Sequence, residues 1–232
     1  FQLLNPKTII RNTIGNELFW RAERLAKYPA TLIDFTRSKL TGSERTITFS
    51  NKQGLQGQYW KAFFEGAGMA WRGLNPGNLE TQFQLGTRGP AFTGKYNPLT
   101  YLEKSLGATL RGFDYAAYMR AKNVTLGEMA MLEAMNKHPN LKGKDLKRFV
   151  EHYVRNADDA AIKIADAYGK YVTFNDATVL SDGLSGLKTI LNKITTAGLS
   201  SEFGGGDLIL KYPKTPANLI MRAIDYSPAG VL

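Results

Sequence analysis

Apolar residues that recur every three, four or seven positions, interrupted by clusters of Gly, Pro, Ser and Thr, constrain this chain more than any other feature. Such spacing lays side chains along one stripe of an α-helix, whereas a half-buried strand needs sustained two-residue alternation. The first run starts at Asn5-Pro6, where an Asn can cap free N–H groups and Pro occupies a position that needs no donor. From there to residue 28, Ile10, Ile14, Leu18, Leu25 and Tyr28 share a stripe, while Arg11, Arg21, Arg24 and Lys27 fall mostly elsewhere. The spacing predicts a basic amphipathic helix whose aliphatic stripe packs on other helices. Pro29 predicts a kink or break, after which Leu32, Phe35 and Leu40 resume a helical pattern over 31–40.

Further helical runs are expected over 58–74, 99–122, 125–138, 142–171, 184–194 and 213–226. Residues 46–49 alternate like a short strand inside a connector, and 75–98 is irregular and rich in Gly and Pro. Gly66, Gly68 and Gly73 interrupt the 58–74 run and signal either close backbone packing or a weak helix. The fold class expected is all-α: an irregular multi-helix bundle with long Gly/Pro-rich loops and at most a minor hairpin. We expect residues 1–232 to form a single helical segment of a longer protein, with a sub-division near 75–98.

The chain has no cysteine, which excludes disulfides, thiolate metal centres and cysteine nucleophiles. No stretch reaches the ~18 uninterrupted apolar residues of a spanning helix, and the N-terminus lacks the layout of a secretory signal. The net charge is +10, and its position matters: residues 1–150 hold 22 basic and 11 acidic groups, residues 151–232 hold 8 and 9. Such an excess serves solubility or attracts phosphates and anionic lipid headgroups, without choosing between them. Lys142, Lys144, Lys147 and Arg148 form the densest positive run and, with Arg11, Arg21 and Arg24, are the candidate contacts to nucleic acid or another anion. Tyr59-Trp60-Lys61 and Trp71-Arg72 place aromatics among cations, where helical spacing favours core packing over base stacking.

Motifs for chemistry are sparse. His138 and His152 fall in no metal-binding spacing and read as surface or structural residues, and neither a nucleophile elbow nor a phosphate-binding loop occurs. Gly204-Gly205-Gly206 reads as a linker. The carboxylates Asp158, Asp159, Asp166, Asp176 and Asp182 keep no calcium-loop register. On this reading there is no catalytic residue, no cofactor and no metal site.

Both ends carry a likeness. Asn5-Pro6-Lys7-Thr8, then Arg11-Asn12-x-x-Gly15-Asn16, Asp34 and Thr41-Gly42 resemble the opening of a module in large polyvalent proteins of bacteriophages and integrative elements. Lys211-Tyr212-Pro213-Lys214-Thr215-Pro216-Ala217-Asn218-Leu219 and Asp225-Tyr226-Ser227-Pro228 resemble its close, the likeness spanning roughly residues 1–50 and 173–232. It implies a non-enzymatic structural or delivered component, found in a virion or the host cytoplasm. Other virion or mobile-element proteins, further copies of the chain and DNA are the implied partners. The alternative is a peripheral module on an anionic membrane surface that takes part in DNA delivery across the host envelope, for which the basic amphipathic stretch 6–28 with Phe19 and Trp20 and the glycine-interspersed aromatics of 58–74 are the basis. On their own terms, Asn12, Gly15 and Asn16 lie close on one helical face and suit an interface, as do Thr215 and Asn218 at a helix start.

Overall fold

The computed structural model describes residues 6–48, 55–79, 96–173 and 175, together with 186, 187, 189–191 and 194. Among them every regular element is helical and none is a strand, so the chain is all-α. It divides into two compact units, Phe1–Val172 and Thr173–Leu232. Within the stretch 75–98, Pro76 and Leu79 are buried, and residues 80–95 lie outside the described residues. In the second unit residues 186, 187, 189–191 and 194 are helical, inside the helix expected over 184–194. The run expected over 213–226 lies outside the described residues.

The first unit is organised on α3 (Pro98–Lys137), which is flanked by α1 (Pro6–Thr41), α2 (Leu55–Trp71), α4 (Gly143–Arg155) and α5 (Asp159–Val172). Asn97 caps α3 by accepting from the Leu99 N–H at 3.0 Å, and Pro98 follows at the first helical position. In place of the two helices expected over 99–138, α3 runs unbroken for 40 residues. Thr125 stays helical by turning its hydroxyl onto the Ala121 carbonyl at 3.0 Å. The single helix expected over 142–171 is instead two. Asn156 ends α4, its side-chain amide donating to the His152 carbonyl, and Asp158 starts α5 by accepting from the Ala161 N–H at 2.7 Å.

Two glycines let α2 and α3 pack closely. A Cβ on Gly66 of α2 would lie 2.7 Å from the Tyr115 Cβ, and one on Gly112 of α3 would lie 2.9 Å from the Phe63 carbonyl oxygen. The glycines therefore mark close packing, and between them Ala62, Leu79, Tyr115, Ala116 and Tyr118 form one core cluster. A second, of Leu126, Ala161 and Ala165, joins α3 to α5. Four of the eight cluster residues are alanine, and among the described residues many large apolar side chains are exposed.

Pro29 does not split α1, which continues as one 36-residue helix to Thr41. Asp34 anchors the chain beyond it, accepting from the Thr46 hydroxyl at 2.7 Å and from the Thr46 and Ile47 N–H groups at 3.0 and 3.2 Å. Residues 46–48, expected as part of a short strand, form no ladder, and the Thr46 and Ile47 backbone donors go to this carboxylate. Phe49 lies outside the described residues.

Candidate functional site

The helix α1 is mounted inside out. Its side chains toward α3 are polar: Asn16 donates to Asp114 at 3.1 Å, Arg120 reaches Glu17 at 2.6 Å, and Arg24 and Lys27 each reach Glu128 at 2.7 Å. Trp20 turns the same way, with the Arg120 guanidinium 4.0 Å from its ring centre. Phe19 meets Tyr171 of α5 at 5.8 Å between ring centres. Neither aromatic belongs to an outward face, which corrects their assignment to a membrane interface.

The aliphatic stripe points the other way. Ile10, Ile14, Leu18, Leu25 and Leu32 are exposed, Leu18 by 62% and Leu25 by 66%, and the stripe continues through Ile33 to Leu40. The expectation that it packs on other helices of the same chain is therefore overturned among the described residues. The reason lies in α3, which offers α1 the carboxylates Asp114 and Glu128 and the guanidinium of Arg120. Buried charges must be matched by charges or donors, so the polar face of α1 is drawn inward and its apolar face is left outside.

The electrostatics follow from that arrangement. Burial pushes Asp114 up to about 7, against the lowering effects of the Asn16 hydrogen bond and the Arg111 charge. Glu17 feels burial too, but hydrogen bonds from Arg21 and Arg120 hold it below the ordinary carboxylate value. The Thr46 hydroxyl bond, followed by the Ile47 and Thr46 N–H bonds and the Arg37 charge, outweighs burial and holds Asp34 at about 2.

Of the cations expected to meet an anion, Arg24 is buried in its ion pair with Glu128 and is withdrawn from that role. Arg21 is exposed and paired with Glu17 at 2.8 Å. The side chain of Arg11 lies outside the described residues, as does that of Asn12. Lys142, Lys144, Lys147 and Arg148 are all exposed at the start of α4, with Lys147 3.8 Å from Glu151 and Arg148 3.6 Å from Asp145. Asn16 is committed within the chain to Asp114, whereas Gly15 lies on the outward side, where an added methyl would meet nothing within 4 Å. Thr215 and Asn218 lie outside the described residues.

Trp60 and Trp71 are 54% and 40% exposed, against the expectation of core packing, and the Lys104 ammonium sits 4.8 Å above the Trp71 ring. Among the described residues no group of three or more His, Asp or Glu side chains is placed to hold a metal ion. Likewise, no described helix is long and apolar enough to cross a membrane. No protein-family model, curated protein or solved structure matches the chain.

Proposed function

We propose that this chain is a non-enzymatic component of a bacteriophage or mobile element, and that it works by attaching through the outward face of α1. The observation that carries the reading is the exposed stripe of Ile14, Leu18, Leu25, Leu32 and Ile33 on a helix whose polar face is already fixed to the body. A contiguous apolar face of that kind on a folded protein marks an interaction surface. The bacteriophage context rests on the resemblance of the two ends, and the exposed cations of α4 supply a separate surface for DNA.

The test places Leu18→Asp together with Leu25→Asp and follows melting and recovery of the chain in purified particles of the element that encodes it. Unchanged melting with loss from the particles is the expected result. A fall in Tm of more than about 10 °C would assign the stripe to the core, and the attachment reading would fail.

A further inference from the structure

The charge around the outward face narrows what covers it. The carboxylates of α1, Glu17, Glu23 and Asp34, are half-buried or buried, and none lies among the exposed residues of the helix. Glu17 and Asp34 are moreover each shared by two arginines, Glu17 by Arg21 and Arg120, Asp34 by Arg37 and Arg45. A surplus of positive charge is left on and beside the stripe, where Arg21 and Lys39 fall within its arc and Arg37 just outside it; Arg21 and Arg37 keep about half or more of their side chains exposed, and Lys39 stands over Phe35 at 4.7 Å. Glu44, in the loop beyond the helix, is the next exposed carboxylate. An aliphatic face with cations on and beside it and no exposed acid of α1 calls for an occupant that is both apolar and anionic.

Resting on the attachment reading above, we propose that this occupant is an anionic lipid bilayer, with α1 lying in its surface, the aliphatic stripe at the acyl–headgroup boundary and Arg21, Arg37 and Lys39 against lipid phosphates. At 3.6 residues per turn the exposed apolar positions from Ile10 to Leu40 spread over roughly 160° of the helix, wider than the narrow seam that two paired helices share. A bilayer engages that whole width. The α1 face of a second copy does not meet the charge requirement, since it would bring the same cations together with no exposed carboxylate of α1 to answer them. Apolar burial combined with attraction of Arg and Lys to acidic headgroups is the physics of a helix that lies on a membrane.

The chain contains no cysteine, so one introduced thiol carries one label. The 232-residue protein bearing an environment-sensitive fluorophore at Leu25→Cys or Leu32→Cys is mixed with vesicles of phosphatidylcholine alone or with about one third phosphatidylglycerol. The expected result is a blue shift and flotation with the anionic vesicles, at least tenfold weaker on phosphatidylcholine and in 0.5 M salt, while a label on exposed Glu151 of α4 stays unshifted. Flotation is lost with Leu18→Asp plus Leu25→Asp at unchanged Tm. Labels that remain in water on anionic vesicles overturn the bilayer; if the same variant then abolishes concentration-dependent self-association, the occupant is a second copy and the attachment reading stands. If the labels do not shift and the variant melts far below the wild type, both proposals fall.

Discussion

Glu128, in the last quarter of α3, accepts from Arg24 Nη1 and Lys27 Nζ of α1, each at 2.7 Å, and Arg24 and Glu128 are both buried. The pair joins positions 104 residues apart, and the hold of α1 on the body therefore depends on charge where an ordinary amphipathic helix would depend on leucines. Leaving one member of a buried ion pair uncompensated costs about 3–5 kcal/mol, and in Arg24→Ala the Lys27 contact to Glu128 at 2.7 Å offsets part of that. Arg24→Ala is expected to cost about 2–3 kcal/mol by urea denaturation. Leu18→Ala and Leu25→Ala, on the exposed face, are expected to cost under about 0.5 kcal/mol. The reverse order of effects would show that the stripe, and not the charge, anchors the helix.

Stability should also carry the mark of Asp114. Its carboxyl titrates near 7 in the fold, against an ordinary value of 3.8, so between those limits the folded state holds more proton than the unfolded one. Stability then falls as pH rises from about 4 to 7, by up to about 4 kcal/mol for a shift of this size. Asp34 acts in the opposite sense. Held at about 2, it adds stability that is complete above its unfolded value and lost as pH falls from 4 toward 2. Thermal melts are expected to peak between pH 4 and 6, and Asp114→Asn, which still accepts from Asn16, is expected to flatten the alkaline side and raise Tm at pH 8.

Glycines in α1, α2 and α3 should separate by what surrounds them. An Ala in place of Gly within a helix gains about 1 kcal/mol in propensity, but at Gly66 and Gly112 the new methyl meets Tyr115 at 2.7 Å and the Phe63 carbonyl at 2.9 Å. Backbone cannot move aside cheaply, and overpacking of this kind costs about 1–3 kcal/mol. Gly66→Ala and Gly112→Ala are expected to be net destabilising. Gly15→Ala and Gly68→Ala, where nothing lies within 4 Å, are expected to stabilise by up to about 1 kcal/mol. Denaturant midpoints for the four variants check both signs.

The helical class and most segment positions were legible because period acts locally: α3 starts at Pro98, one residue before the run expected from 99. The break inside 142–171 has a local signal too, in Asn156 and Asp158, whose cap-forming side chains interrupt an apolar pattern that otherwise reads as continuous. The direction in which α1 faces was not legible. Its stripe is a periodic signal that says which residues share a side and nothing about which side is inward. That choice is made by Asp114, Arg120 and Glu128, roughly a hundred residues downstream. The one local hint is the opposite face itself, where Asn16, Glu17, Arg24 and Lys27 recur at helical spacing with Trp20 among them.

The remaining cations can be assigned by the same contrast. Lys142, Lys144, Lys147 and Arg148 are exposed, and the carboxylates near Lys147 and Arg148 stand at 3.8 and 3.6 Å across surfaces open to solvent. Surface pairs of this kind contribute at most about 1 kcal/mol and exchange readily for phosphate. If DNA is a partner, each phosphate neutralised releases counterions, and the observed affinity should fall steeply between 50 and 200 mM salt on any sequence. Changing all four residues to Glu is expected to remove most of that binding and flatten its salt dependence, with the fold intact because none of the four is buried. Arg24→Gln offers the control: it sits in the same basic part of the chain but inside the protein. At temperatures where that variant remains folded, its DNA affinity should match the wild type. Retained binding in the four-residue variant would leave the charge of α4 as a determinant of solubility alone.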